Sequence, residues 1–321
     1  MTPADALRSS AEFVRLLRFS AQVGSDPLQV QGPGGNSSLK QDGAMWIKAS
    51  GSWLREARSR PVMTPVDAER MKRAVEEGDA AAEDPTAFAL ESGHAPALRP
   101  SIETPVHAVL PARAVLHTHC VTTLAVAVRE DAARIVASRL GDRSAVFVPY
   151  TRPGAGLARE ILRRLQPETR VLVLGNHGLV ACGETVAEAR TWLERARARL
   201  RIRQPASIRG YKSSRILRKW ISGSEWRPAP ASATNWLAKD ADALQHAVGG
   251  SLYPDHVVFL GRGVAAATAG NDFDPAALAA AGQGLVLLEG EGAALRKNAN
   301  PSALALAQCL GDIVRRLPPR S

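Results

Sequence analysis

At 321 residues, 45% hydrophobic and 22% charged, the chain can bury one large core or two smaller ones, which excludes disorder as its dominant state. No run approaches the roughly 18 apolar residues of a membrane span, the first ten residues lack an apolar secretion signal, and Cys120, Cys182 and Cys309 are too widely spaced for a disulfide framework, so a cytoplasmic protein is expected. The net charge of +10 is local: eleven basic residues against the single acid Glu194 lie between Arg190 and Trp220, and the remainder is neutral. No nucleic-acid-binding motif surrounds them, so they read as a solvated helix end plus linker, or else as a patch for anionic ligands.

In chain order, Ser9-x-x-Glu12 has the form of a capping box and predicts a helix with Phe13, Leu16 and Leu17 on one face. The glycine-rich stretch Gly32-Pro33-Gly34-Gly35-Asn36-Ser37-Ser38 predicts a tight loop, and Ala44 to Lys48 a short strand. Thr64-Pro65 reads as a cap followed by proline at the first helical position, with the helix running to Gly78. Residues 79–95 read as loop, and a third helix is expected from Ser101, carrying Glu103 and His107. Ala114 to His119 and Arg170 to Leu174 read as short strands, the second entering the turn Gly175-Asn176-His177-Gly178. Thr185-x-x-Glu188 then opens the helix that carries the basic residues.

Residues 206–235 are rich in Ser, Pro and Arg and read as a basic linker between a domain of residues 1–205 and a C-terminal α/β domain of residues 236–321. Within the latter, Val257 to Leu260 and Leu285 to Leu288 predict strands, while Asp274-Pro275 and Asn300-Pro301 cap helices, the last ending near Arg316. The stretch from Val171 to Arg195 shares its plan of strand, glycine turn and capped helix with Leu285 to Ile313, where the turn reads Glu289-Gly290-Glu291-Gly292 and has no histidine. A related but chemically silent, degenerate repeat is expected there.

His117-x-His119 sets two imidazoles on one face of a strand, and His177 sits in a glycine-bracketed turn. Three neutral imidazoles without an obvious fourth protein ligand have the makeup of a catalytic zinc site with an open position; ordinary hydrogen-bonded buried histidines are the bland alternative. Gly261-Arg262-Gly263 after the expected strand at 257–260 would suit a dinucleotide only weakly, since no helix can run far before Gly270-Asn271 and no acidic residue follows at a strand end.

Six motifs in order carry a resemblance: Gly34-Gly35-Asn36-Ser37-Ser38, Ala49-Ser50-Gly51, Pro100-Ser101-Ile102-Glu103-x-x-x-His107, His117-Thr118-His119, Val148-Pro149-Tyr150 and Gly175-Asn176-His177-Gly178. Over roughly residues 10–205 the chain resembles the class II aldolase/adducin family. The resemblance implies an α/β protein whose catalytic domain is a three-layer α/β/α structure with a central, mainly antiparallel sheet, followed here by a smaller α/β domain. It implies His117, His119 and His177 as ligands of Zn2+ or another divalent metal, Glu103 as the catalytic acid/base, and Asn36, Ser50, Gly51 and Ser101 around a substrate phosphate.

The implied function is a metal-dependent aldehyde-lyase that cleaves a small ketose phosphate or related sugar acid through a zinc-stabilised enediolate. An epimerase, dehydratase or decarboxylase on the same site, or a non-catalytic adducin-like interaction module, are the alternatives. Chemistry agrees: a carboxylate beside such a site can move a proton, zinc can carry negative charge as a Lewis acid, and glycine-rich loops with hydroxyls suit a phosphate. The expected partners are a small sugar or sugar phosphate and further copies of the chain, as in a tetramer, with no nucleic acid or membrane. Glu103 on its own could be no more than a first-turn acid favoured by the helix dipole. His107 is expected to brace the site or pack in the core, and Tyr150 to reach substrate or pack on its neighbours. Pro33 and Ile102 stand where the sugar-phosphate aldolases place hydroxyl residues.

Overall fold

The computed structural model describes residues 2–91, 98–141, 143–202, 207–208, 210–268 and 274–319. It divides into two compact units, Met1–Thr123 with Arg129–Arg201, and Leu124–Val128 with Ile202–Ser321. Among the described residues no helix is long and apolar enough to cross a membrane.

The first unit opens with α1 (Pro3–Arg8) and α2 (Ala11–Gly24). The cap of α2 is Ser10, not Ser9: its hydroxyl accepts from the Phe13 amide at 3.1 Å, and Glu12 reaches the Val186 amide at 2.6 Å instead of closing a box. Phe13, Leu16, Phe19 and Val23 form the buried stripe of α2, while Leu17 is only half-buried. β1 (Asn36–Gln41) and β2 (Ala44–Lys48) form a hairpin across Asp42-Gly43, both at positive φ (51° and 79°), as a two-residue hairpin turn demands.

β3 (Met63–Asp67) follows, so Thr64-Pro65 lies in a strand and does not start a helix. Proline is tolerated there because β3 is the edge of the sheet. α3 (Ala68–Glu77) begins after Asp67, whose carboxylate accepts from the Arg70 amide at 2.9 Å, and ends at left-handed Gly78. The stretch expected as loop contains single 3-10 turns at Ala80–Glu83 and Pro85–Phe88, and its residues 92–95 lie outside the described residues. α4 (Thr104–Val109) starts three residues later than expected, with Glu103 at its N-cap.

β4 (Ala114–Thr118), α5 (Val121–Ala127, of which only the residues up to Thr123 group with this unit), α6 (Ala132–Leu140), β5 (Ala145–Val148), α7 (Ala155–Leu162), β6 (Val171–Leu174), β7 (Gly178–Gly183) and α8 (Val186–Arg199) follow. The seven strands order as β3-β2-β1-β4-β7-β6-β5, antiparallel throughout except for the β5–β6 pair, which the crossover helix α7 joins. One face of the sheet (Met45, Ile47, Val115, Leu172, Val180) packs on Met71 of α3, Val106 and Val109 of α4, and Leu157 and Ile161 of α7. Helices α1, α2 and α8 lie against the other face. Burying each such aliphatic side chain contributes about 1.5–3 kcal/mol, which makes this two-sided core the main support of the three layers. The arginines of α8 lie mainly off its buried stripe of Val186, Ala189, Leu193 and Ala196.

The second unit holds α9 (Arg215–Trp220), β8 (Trp226–Pro228), α10 (Ser232–Trp236), α11 (Ala241–Val248), α12 (Pro254–Leu260), β9 (Ala265–Ala267), α13 (Pro275–Ala280), β10 (Leu285–Leu288), β11 (Gly292–Arg296) and α14 (Pro301–Val314). Its sheet orders as β8-β11-β10-β9. Much of the segment read as a linker is therefore ordered structure: β8 pairs with β11, and Trp226 is a buried member of the core with Leu217, Val286 and Leu288. The run Val257 to Leu260 is helical, not a strand. Pro254 sits in the first turn, His256 and Leu260 four apart face inward, and Val258 is 71% exposed. Loss of that strand removes the premise of the dinucleotide reading, whose Gly270-Asn271 lies outside the described residues.

Candidate metal centre

Three central strands end together at the site. His117 pairs with Asn36 of β1 on one side and Val180 of β7 on the other, and His119 follows just past the end of β4. The β6–β7 hairpin brings in His177 through Asn176 (φ 54°) and Gly178 (φ 152°). A Cβ at Gly178 would lie 2.4 Å from the Thr118 carbonyl oxygen, so only glycine lets this turn press against the strand that carries the other two histidines. From the opposite side, the N-terminus of α4 delivers Glu103.

The rings converge, with centroids 4.9 Å apart for His117–His119, 4.8 Å for His117–His177 and 5.1 Å for His119–His177. Glu103 Oε1 lies 3.3 Å from His117 Nε2 and 2.9 Å from His177 Nε2. Among the described residues, Glu103, His117, His119 and His177 form a buried group whose ligand atoms all lie within 4.8 Å of one another. Donors around a tetrahedral zinc with bonds of about 2.0–2.1 Å stand roughly 3.3 Å apart. The Glu103 contacts already have that spacing, so the set fits a divalent cation.

Electrostatics agree. Burial drives the His117 imidazole well below its ordinary pKa, against the upward pull of Glu103. Burial also pushes the Glu103 carboxyl up, but the His117, His177 and His119 imidazoles outweigh it and hold the group well below the usual carboxylate range. A carboxylate ionised in a buried site costs several kcal/mol unless it is paired, and a bound cation would supply that partner.

Asn36 and Ser101 gather on Glu103. Asn36 Nδ2 donates to Glu103 Oε2 at 3.1 Å, and Ser101 Oγ accepts from the Glu103 amide at 3.2 Å. Ser50 and Gly51 lie in an exposed turn held beside this segment by the Ala49–Pro100 bridge and by the Ser50 amide donating to Arg99 O at 2.8 Å. Ile102 is 46% exposed and Tyr150 58%, so the tyrosine ring is not packed away.

Sequence reasoning missed Lys48. It is buried, and its Nζ donates to Pro33 O at 2.6 Å and Ser52 O at 3.0 Å, which ties the glycine-rich loop to the 50–52 turn. A lysine ending an otherwise apolar strand was the available signal. His107, read as brace or core, is fully buried with Nδ1 2.7 Å from Ser38 Oγ.

The chain matches Class II Aldolase and Adducin N-terminal domain over residues 16–203, more than half its length, and belongs to that family. It is similar to the N-terminal class II aldolase domain of a conserved protein from Thermoplasma acidophilum, with 26% identity, a TM-score of 0.52, and coverage of 60% of this chain and 92% of that one. It is also similar to an L-fuculose-1-phosphate aldolase from Thermus thermophilus (23% identity, TM-score 0.36, 57% of this chain and 87% of that one). A Bacillus subtilis (strain 168) protein named Uncharacterized oxidoreductase YuxG is 29% identical over 185 residues, 53% of this chain; the match spans only 26% of that relative's length.

Proposed function

We propose that the first unit is a metal-dependent aldehyde-lyase, holding zinc or another divalent ion on His117, His119 and His177 and cleaving a small ketose phosphate or related sugar acid by a retro-aldol reaction. The observation that carries the reading is the burial of three imidazoles and one carboxylate whose ligand atoms all lie within 4.8 Å of one another. A cation held there acts as a Lewis acid toward a substrate carbonyl and the negative charge that develops on it.

The chain's own groups divide the remaining work. Glu103, kept ionised, accepts a proton from the substrate in one direction and returns it to carbon in the other. To do so it must leave its contacts with His117 and His177, and Asn36 holds the opposite carboxylate oxygen meanwhile. Asn36, Ser101, Ser50 and Gly51 hold the anionic end of the substrate in this reading. Pro33 and Ile102 offer no hydroxyl there, which favours an anion gripped by fewer side-chain donors than in a sugar-phosphate aldolase. The family also supports a homo-oligomer as the working form.

The test is metal analysis of the purified protein, then a screen of ketose 1-phosphates and tetronate-type acids with the zinc-loaded form. Aldehyde release supports cleavage, whereas carbon dioxide or epimer formation assigns the site to an allied reaction. Glu103→Gln is expected to keep the metal and lose at least about 100-fold in turnover. Wild-type turnover by that variant would remove Glu103 from the mechanism, and a protein that neither contains nor takes up metal would be a non-catalytic, adducin-like module.

A further inference from the structure

Strand β1 and helix α4 are joined by a buried polar ladder. Residues two apart on a strand share a face and step about 6.6 Å, while residues four apart on a helix step about 6 Å, so the two can stay in register over several rungs. Asn36 donates to Glu103 Oε2 (3.1 Å), Ser38 Oγ meets His107 Nδ1 (2.7 Å), and Lys40 Nζ donates to His107 O (2.8 Å) and to Leu110 O. The first rung is part of the site. The other two lie behind it, and the middle one, Ser38 with His107, is fully buried.

The middle rung is expensive for a structural contact. Ser38 and His107 are both fully buried, and His107 Nε2 has no hydrogen-bond partner among the described residues. Val106 and Val109, on the same short helix, belong to the apolar core, so an aliphatic side chain would suit position 107 without that desolvation cost. Burial holds the imidazole at a pKa of about 3, so it acts as a neutral hydrogen-bonding group and not as a proton donor to the site.

We infer that Ser38 and His107 are positioning residues for Glu103: their hydrogen bond fixes where α4 stands along β1, and thereby sets the carboxylate against the three imidazoles. The inference rests on the proposed role of Glu103. An error of about 1 Å in a reacting group can cost on the order of 100-fold in rate. Without the middle rung the three histidines keep their places on β4 and the β6–β7 hairpin, while Glu103 loses its own.

The test uses the full chain loaded with cobalt(II), whose visible spectrum reports the ligand set without any substrate, together with steady-state kinetics on whichever compound the wild type cleaves. Ser38→Ala and His107→Leu should each still bind one cobalt per chain, with a spectrum shifted toward that of Glu103→Gln. Their kcat should fall roughly 10- to 100-fold with KM changed less than about twofold. His107→Asn, whose amide can stand in for Nδ1, should restore much of both signals. Loss of metal in step with activity in Ser38→Ala, or a wild-type spectrum and kcat in either variant, would overturn the inference. If no compound is turned over, the proposed reaction fails, but the spectra still decide whether the ladder sets Glu103.

Discussion

The β4-β7-β6-β5 block of the first unit and the β8-β11-β10-β9 block of the second have the same pairing pattern: antiparallel, antiparallel, then parallel. Their hairpins agree bond for bond. Leu174 pairs with Gly178 and Leu288 with Gly292. His177 N donates back to Leu174 O (3.1 Å), and Glu291 N to Leu288 O (2.9 Å). Asn176 and Gly290 hold the left-handed position at φ 54° and 72°. The chemistry does not follow. Glu291 stands where His177 does; Pro228, paired with Ala294, stands where His117 pairs with Val180; and Pro230, two residues on, falls at the place of His119. Among the described residues the second sheet also has no counterpart of β1 to β3, and so no strand to carry an Asn36 or to receive an α4. The hairpin backbone is thus a scaffold indifferent to its side chains, and the site needs both halves of the larger sheet.

The largest difference between the two blocks should be metal. His119→Ala is expected to abolish uptake of one equivalent of zinc, measured by elemental analysis after dialysis, whereas Glu291→Ala in the matching turn should leave it unchanged. A silent turn that proves to hold zinc would break the comparison.

Acid should separate the units next. Burial lowers the pKa of His107 from 6.5 to about 3, so the unfolded chain binds its proton first. The stability this contributes is complete above about pH 6.5 and is lost as pH falls toward 3; at pH 5 the loss is about 2 kcal/mol. Glu103, held low, adds a loss of the same sign below its ordinary range. In the second unit two groups oppose each other. Burial lowers His256, which weakens the fold in acid, and raises Asp312, whose folded state gains protons first and so gains stability as pH falls. Hydrogen exchange of the metal-free protein between pH 7 and 5 should therefore show protection falling further in β1 and α4 than in β10 and β11. Equal losses would sink the account.

Much of this was legible in the residues, and the exceptions have causes. His-x-His at a strand end and a histidine between glycines mark the candidate site because strand period and turn geometry are local rules. Asn300-Pro301, Asp274-Pro275 and Thr185 all cap the helices they were expected to cap. Val257 to Leu260 misled because β-branched residues favour strands only where a sheet receives them; here Pro254 and the inward pair His256 and Leu260 set a helical period. Thr64-Pro65 misled because proline suits a helix start and an edge strand equally, and only the pairing with β2 decides. The Ser38–His107 contact joins positions 69 residues apart, and no local pattern marks it.

The smallest expected difference lies in the turn glycines, and it tests whether the scaffold is indifferent to the site. Gly178→Ala would set a Cβ 2.4 Å from the backbone oxygen of Thr118, which the β4–β7 register holds in place. Gly292→Ala would meet Asn235 Oδ1 at 2.8 Å, a side-chain atom that accepts from Ser213 Oγ and the Ala293 amide and so cannot move without breaking both bonds. Both residues have positive φ (152° and 131°), so each substitution should cost about 1–3 kcal/mol in urea unfolding. Only Gly178→Ala should also lower zinc content, because the atom it displaces belongs to the residue between His117 and His119. If Gly178→Ala lost stability but kept full zinc occupancy, the close approach of the two histidine-bearing segments would be a matter of folding alone, and the site would tolerate a looser hairpin than its geometry suggests.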